Sequence, residues 1–402
     1  MRRPPNSRFV AALVSITLIG PLAIHLFLPA MPEVKKAFGI SDALVGLTFS
    51  VTLLVMAFVT LAYGSLSDRY GRRPVLLTGL VLFTAGSAVS SIAGSISGLI
   101  VGRMIQALGA GCGVTLARAI ARDAYGTDGL VKVIAYLTMA YALGPMLSPL
   151  LGGMLIDVFG WRSVFWFAML SGAGITTAAC VVLYETRPED EIEQRPTGIF
   201  RNFAALLAHP RFTAFVLQTG FSTGTFLSMA AASSFLMKDY LGRSATEFGV
   251  YFLFFPIGFF LGNLLSSRLS QRISIENMVL AGSVISMAAI VFQSALILGE
   301  YLTPLIIFVP GFVLTFAQGI ALPNAQVGAL RVIPRLSGTA SGIGVFCQMF
   351  LGAVFSQIYS LLADGTPIPM IITVSCGAVL TLLAGVTPFV LRQRGHPASM
   401  HR

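Results

Sequence analysis

Few side chains in this sequence can do chemistry, and two of them are basic residues set inside long apolar runs. His25 lies in the run Phe9–Met31 and Arg103 in the run Ile96–Ala117. An ionisable residue at lipid depth is expensive and marks function by default. Imidazole exchanges a proton near neutral pH, whereas a guanidinium stays charged. His25 is thus either a proton carrier or a hydrogen-bonded wall residue. Arg103 is either its partner or a structural donor to carbonyls. Counting roughly 1.5 Å per residue from the ends of the two runs sets both about 10 Å below the same boundary. A protonated His25 would then meet Arg103 as a like charge. The repulsion is about 3 kcal/mol at about 5 Å and an effective dielectric of ~20. Gln218, Asn263, Gln293, Gln318, Asn324 and Gln348 are the other polar residues at depth. Each is either glue between helices or a ligand contact.

Two denser constellations follow. Gly64-Ser65-Leu66-Ser67-Asp68-Arg69-Tyr70-Gly71-Arg72-Arg73 joins two apolar runs. Asp68 is an acid among arginines, Gly64 permits close helix contact and Gly71 permits a tight turn. Gly144-Pro145-Met146-Leu147-Ser148-Pro149-Leu150-Leu151-Gly152-Gly153 lies inside a run. Pro145 and Pro149 each remove a backbone hydrogen bond, and Gly144, Gly152 and Gly153 let a neighbour approach. That stretch is either a kinked packing helix or a specialised bend. No phosphate-binding G-x-x-x-x-G-K-[ST] loop is present, so the chain itself does not hydrolyse ATP. The spans hold no paired histidines, aspartate dyad or Cys–His set, which argues against an enzyme. Cys112, Cys180, Cys347 and Cys376 lack metal-ligand spacing and read as packing residues. No cofactor, metal or disulfide is expected.

The elements that carry these residues follow from composition. Of 402 residues, 55% are hydrophobic and 10% charged, with a mean hydropathy of +0.84. A soluble domain carries about 25% charged residues. Lipid is therefore the solvent for most of this chain. The net charge of +10 forms no patch interleaved with aromatics, so no nucleic-acid partner is expected. Runs of about twenty apolar residues recur. They cover Phe9–Met31, Leu44–Ser67, Pro74–Ala93, Ile96–Ala117, Lys132–Ile156 and Arg162–Tyr184. After the polar stretch Glu185–Arg211 come Phe212–Leu236, Phe248–Leu269, Asn277–Leu298, Leu302–Ala325, Gly338–Leu361 and Pro369–Leu391. No span alternates with period two, which argues against a β-barrel. The first run is too long for a signal peptide and reads as an uncleaved helix. Arg and Lys crowd the loops on one side, which predicts both termini in the cytoplasm. Leu66-Ser67-Asp68-Arg69 and Leu265-Ser266-Ser267-Arg268 sit about half a chain apart. That repeat predicts two six-helix bundles, residues 1–186 and 212–402, joined by a cytoplasmic linker at 187–211. The linker acids read as a solvated connector or a regulatory contact.

Residues 64–73 match the loop signature G-x-x-x-D-R-x-G-R-R of the major facilitator superfamily at every position, through Gly64, Asp68, Arg69, Gly71, Arg72 and Arg73. The resemblance implies an all-α membrane protein with twelve transmembrane helices. It also implies a cytoplasmic latch, with Asp68 reaching the start of the eleventh helix at Ser337–Thr339. Residues 144–153 resemble the fifth-helix signature of drug/proton antiporters, through Gly144, Pro145, Pro149, Gly152 and Gly153. Arg103, Gln106 and Gly109 fit the R-x-x-Q-x-x-G pattern of the fourth helix, whose arginine the family links to proton transfer. Leu28-Pro29-Ala30-Met31-Pro32, Arg118–Asp123, Gly160-Trp161-Arg162 and Pro323-Asn324-Ala325 are similar to the Bcr/CflA-type (bicyclomycin/chloramphenicol-resistance) exporters. Together these cover residues 20 to 350. One departure stands out: such exporters place an aspartate four residues before the first proline, and this chain has His25. The resemblance implies helices one, four, seven and ten around one cavity, so that Gln218 and Gln318 join His25, Arg103 and Gln106 on its wall. Tyr141, Met139, Met146 and Phe221 add apolar, adaptable surface. The expected activity is proton-coupled efflux of small lipophilic, drug-like molecules across a bacterial inner membrane, by a monomer with membrane lipids around it. Export of an amino acid or sugar is the alternative, and uptake a third.

Overall fold

The computed structural model describes residues 7–187, 199–299 and 302–394. The linker residues Glu189, Asp190, Glu191, Glu193 and Arg195 lie outside them. All regular structure among the described residues is helical. Among the described residues, eleven helices are long and apolar enough to cross a membrane. The first six are Ser7–Phe38, Asp42–Tyr70, Arg72–Ser91, Ile96–Tyr125, Lys132–Phe159 and Ser163–Val182. The others are Ala245–Leu269, Ile275–Leu298, Pro304–Val332, Pro334–Leu362 and Ile368–Arg392. The seventh expected span is a helix, Pro210–Phe235, but does not reach that apolarity. All its Ser, Gly and Gln residues, with Thr219 and Thr225, are buried. A helix enclosed by its neighbours needs less apolar surface than one facing lipid. It keeps its chain-order place below as the seventh helix, so Ala245–Leu269 is the eighth span.

The chain divides into two compact units. One comprises residues 1–195 with Arg243–Val250, and the other residues 196–242 with 251–402. In the first unit, the third and fourth spans pack backbone to backbone. A Cβ on Gly86 would run into the backbone nitrogen of Gln106, and one on Gly109 into that of Phe83. Small residues at such crossings replace the hydrophobic drive that lipid removes. The first span, expected as one helix, is broken into Ser7–Thr17, Ile19–His25, a 3₁₀ turn Leu28–Ala30 and Met31–Phe38. Pro21, Pro29 and Pro32 remove three backbone donors along it, which explains the interruptions. Helical backbone continues from Cys112 to Phe159, so the fourth and fifth spans meet without a loop.

The second unit is built on the seventh helix. Phe212, Phe215 and Val216 pack against Val279, Ala325 and Ile343 from the ninth, tenth and eleventh spans. Buried Glu276, in the first turn of the ninth span, receives Arg211 and Arg392.

Candidate functional site

Three groups of residues stand out in the first unit, each held by a different backbone device. At depth in the membrane-spanning helices, the carbonyls in the last turn of Ile19–His25 lack partners along their own helix. Arg103 supplies one: its Nη1 donates to the Ala23 carbonyl at 2.9 Å and to Gln106 Oε1 at 2.6 Å. Gln106 Nε2 passes the chain on to Ser87 Oγ at 2.8 Å, and Ser87 Oγ donates to the Phe83 carbonyl at 2.7 Å. The first, fourth and third spans are thereby tied through one polar line. The guanidinium lies 4.6 Å from the Phe27 ring centre and 5.8 Å from that of Phe165. Arg103 thus touches Ala23 and Phe27, the residues two before and two after His25 on the chain. Arg103 is 1% exposed and His25 7%. Arg103 Nε and Nη2 have no hydrogen-bond partner, and no carboxylate pairs with it among the described residues. The two ring faces add to the negative surroundings that the Ala23 carbonyl and Gln106 Oε1 supply.

The loop at residues 64–73 is built around Arg72. Gly71 has φ +99°, a backbone conformation that favours glycine, and it ends the second span where the third begins. Arg72 Nε donates to Asp123 at 2.8 Å, and its Nη1 to Asp68 at 2.5 Å and to Ser67 Oγ at 2.6 Å. Both Arg72 and Asp123 are buried, while the Asp68 side chain is 62% exposed. The Asp68 carboxylate thus faces Arg72 in this structure. Arg69 is engaged through its carbonyl, which accepts from Arg187 Nη1 at 2.9 Å. Arg73 Nη2 donates to the Cys180 carbonyl at 2.8 Å, and Gly64 has open space around its Cα.

Glu185, grouped by sequence with the solvated linker acids, caps the third span instead. Its carboxylate accepts the backbone N–H of Arg72 at 2.9 Å and of Arg73 at 3.1 Å. It also takes those of Thr186 and Arg187, at 3.0 Å each. Desolvation would raise the Glu185 pKa, but these four donors outweigh it and hold the group below the usual carboxylate range. No signal in the sequence separates Glu185 from the acids that follow it. Asp123 did carry a signal, as the acid closing Arg118–Asp123.

The fifth span seats its small residues on neighbours. A Cβ on Gly144 would run into Pro21, and one on Gly152 would stand 2.6 Å from the Leu26 carbonyl oxygen. One on Gly153 would run into the Ala245 carbonyl. Pro145 and Pro149 lie inside the helix between these contacts. Arg162 donates to the Ala93 carbonyl at 2.9 Å and stacks 4.3 Å from the Trp161 ring centre.

In the second unit, Gln218 and Gln318 are buried and bonded across helices. Gln218 Nε2 meets Ser283 Oγ at 3.2 Å, and Gln318 Nε2 meets Thr223 Oγ1 at 3.4 Å. Gln218 Oε1 is buried without a hydrogen-bond partner among the described residues.

Comparison with known proteins covers nearly the whole chain. The sequence profile of the Major Facilitator Superfamily matches residues 13–356. A "Bicyclomycin resistance protein homolog" of Haemophilus influenzae is 26% identical over 382 residues, covering 94% of each chain. "Multidrug resistance protein D" of Escherichia coli K12 is 27% identical over 365 residues, covering 90% of this chain and 91% of its own. Among solved structures, a bacterial homolog of the human lysosomal transporter Spinster superposes with a TM-score of 0.76 at 19% identity. That match covers 97% of this chain and 98% of the other, and it shows the fold.

Proposed function

The chain belongs to the major facilitator superfamily, a family of membrane transporters of small molecules, and from that premise we propose that it exports small lipophilic compounds in exchange for protons. The observation that carries this reading is the buried Arg103 line on the broken first span. It sets a fixed cation between the Ala23 carbonyl and the Phe27 ring, on either side of His25, and leaves two guanidinium nitrogens without acceptors among the described residues. His25 is the proposed proton carrier. A proton gained there adds positive charge near Arg103 and raises the energy of that state, which biases a two-state equilibrium. Gln106 orients Arg103. Gln218, with its spare carbonyl oxygen, and Gln318 are proposed substrate contacts, and Asp68 the carboxylate of a cytoplasmic gate. Export rather than uptake is favoured by the glycines of residues 144–153 and by the drug-resistance names of both relatives. The seventh helix is proposed to cross the membrane too, bringing the crossings to twelve, with both termini in the cytoplasm and the protein a monomer in a bacterial inner membrane.

The direct test is a drug-susceptibility panel in cells stripped of their own exporters. Expression of the wild-type chain raises the inhibitory concentration of neutral lipophilic compounds several-fold, and that of organic cations less. Unchanged susceptibility across the panel, with the protein present in the membrane, removes the drug-efflux reading and leaves metabolite export.

A further inference from the structure

The eighth span begins under the control of a residue from the fifth. The first N–H groups of any helix lack partners within it. In Ala245–Phe252, two of these donors are taken by Asp157, in the last turn of the fifth span. Asp157 Oδ1 accepts the Ala245 N–H at 3.2 Å, and Oδ2 accepts that of Thr246 at 2.8 Å. Ser244 Oγ takes the next, from Glu247, at 3.1 Å. Below this cap the two backbones touch. Gly153 lies against the Ala245 carbonyl, and a Cβ on Gly249 would stand 2.6 Å from Leu150 Cα and 2.7 Å from the Pro149 carbonyl oxygen. At both glycines the facing atoms are backbone, so the two helices approach closely there.

The seated piece is short and separable. Its helix ends at Phe252, and a second helix runs from Phe254 to Leu269. Pro256 explains the break, because it offers no N–H to the Phe252 carbonyl. The grouping of the chain changes at the same place: Arg243–Val250 belongs to the first unit, and the chain from Tyr251 to the second. The Asp157 carboxylate is exposed, so water can replace its donors when the segment lifts. Backbone faces meeting at Gly153 and Gly249 carry no side chain of those two residues that would have to repack. An exposed acid closing a contact at two glycines suits a latch.

We propose that Asp157 is a positioning residue of the transport cycle, a releasable latch that holds the first two turns of the eighth span on the fifth. Bound, it fixes Ala245–Phe252 on Pro149–Asp157; released, that segment moves about Leu253. The proposal rests on the transport reading above, but its test needs no substrate. Cys112, Cys180, Cys347 and Cys376 are replaced by serine, and Ala245→Cys is introduced as a reporter in the seat. A membrane-impermeant maleimide is applied to intact cells and to everted vesicles. With Asp157 present, labelling is slow. Asp157→Ala accelerates it about five-fold or more, and Asp157→Asn, which keeps a carbonyl acceptor, falls between. A reporter on the twelfth span is unchanged in all three. Equal labelling rates at equal membrane levels overturn the latch. So does parallel acceleration at the twelfth span, or loss of both variants from the membrane, since either makes Asp157 a plain structural cap. Loss of resistance in the wild type with the labelling pattern intact counts against drug efflux and leaves the latch standing.

Discussion

Arg103→Met leaves the protein in the membrane with a thermal midpoint close to the wild type, and reduces transport about ten-fold or more. The two halves of that outcome come from opposite terms. Removing the guanidinium strips donors from the Ala23 carbonyl and Gln106 Oε1, at about 1–3 kcal/mol for each acceptor left buried and unmet. It also removes a buried charge that, among the described residues, lacks a carboxylate and has two unpartnered nitrogens, and such a charge is itself destabilising. Methionine keeps an unbranched apolar chain over Phe27. The stability terms therefore largely cancel, while the fixed charge near His25 is gone. Arg103→Lys does not restore transport, because an ammonium cannot reproduce the planar fork lying on the Phe27 ring. Were Arg103 only a structural donor, the midpoint and transport would fall together, and lysine would recover part of both. Thermal unfolding in detergent, read beside vesicle transport for the same three proteins, separates the outcomes.

The second large effect is on folding. Arg72→Met lowers stability by about 2–4 kcal/mol, because it takes the 2.8 Å ion pair from buried Asp123 and leaves it only the exposed Arg122, at 3.5 Å. Asp123 is 5% exposed and cannot recruit water in place of Arg72. Asp68 and Ser67 lose a donor at the same time, although exposed Asp68 is compensated by solvent. The double variant Arg72→Met/Asp123→Asn recovers much of the loss, since the charge that was costly to strand is then absent. Membrane levels and thermal midpoints of the two variants check this. A double variant no more stable than the single would show that Arg72 acts through Asp68 or through the turn at Gly71. Asp68→Asn is mild by comparison in stability.

The sequence made some of these arrangements readable because the backbone chemistry is local. Glycine at 71 marks a turn with positive φ, and glycines at 144, 152 and 153 mark close approach. The apolar run of the first span reads as a single helix, and the weight of Pro21, Pro29 and Pro32 emerges only in the structure. Helical spacing put Arg103 level with His25; in the structure the guanidinium meets Ala23 and Phe27, two residues to either side of it. Long-range partners were hidden. Glu185 heads a run of charges that looks solvated, and nothing local says that it folds back to the N–H groups of Arg72 and Arg73. Asp157 looks like an ordinary acid at a span end, and Glu276 like a first-turn acid favoured by the helix dipole. Their partners lie far along the chain, at Ala245 and Thr246 in one case and at Arg211 and Arg392 in the other. The seventh helix misled in the other direction. Its hydropathy was expected to match the rest, but helix neighbours rather than lipid surround it.

The proton exchange at the centre of this account is measured in everted membrane vesicles with an imposed pH gradient, acid inside. Wild-type vesicles accumulate a neutral lipophilic substrate against its gradient, and collapsing the pH gradient releases it. His25→Gln vesicles, which keep hydrogen bonding at that position but cannot titrate, equilibrate the substrate without concentrating it. Accumulation by the wild type that survives collapse of the gradient would contradict proton coupling. Uphill accumulation by His25→Gln would contradict the assignment of His25 as the carrier.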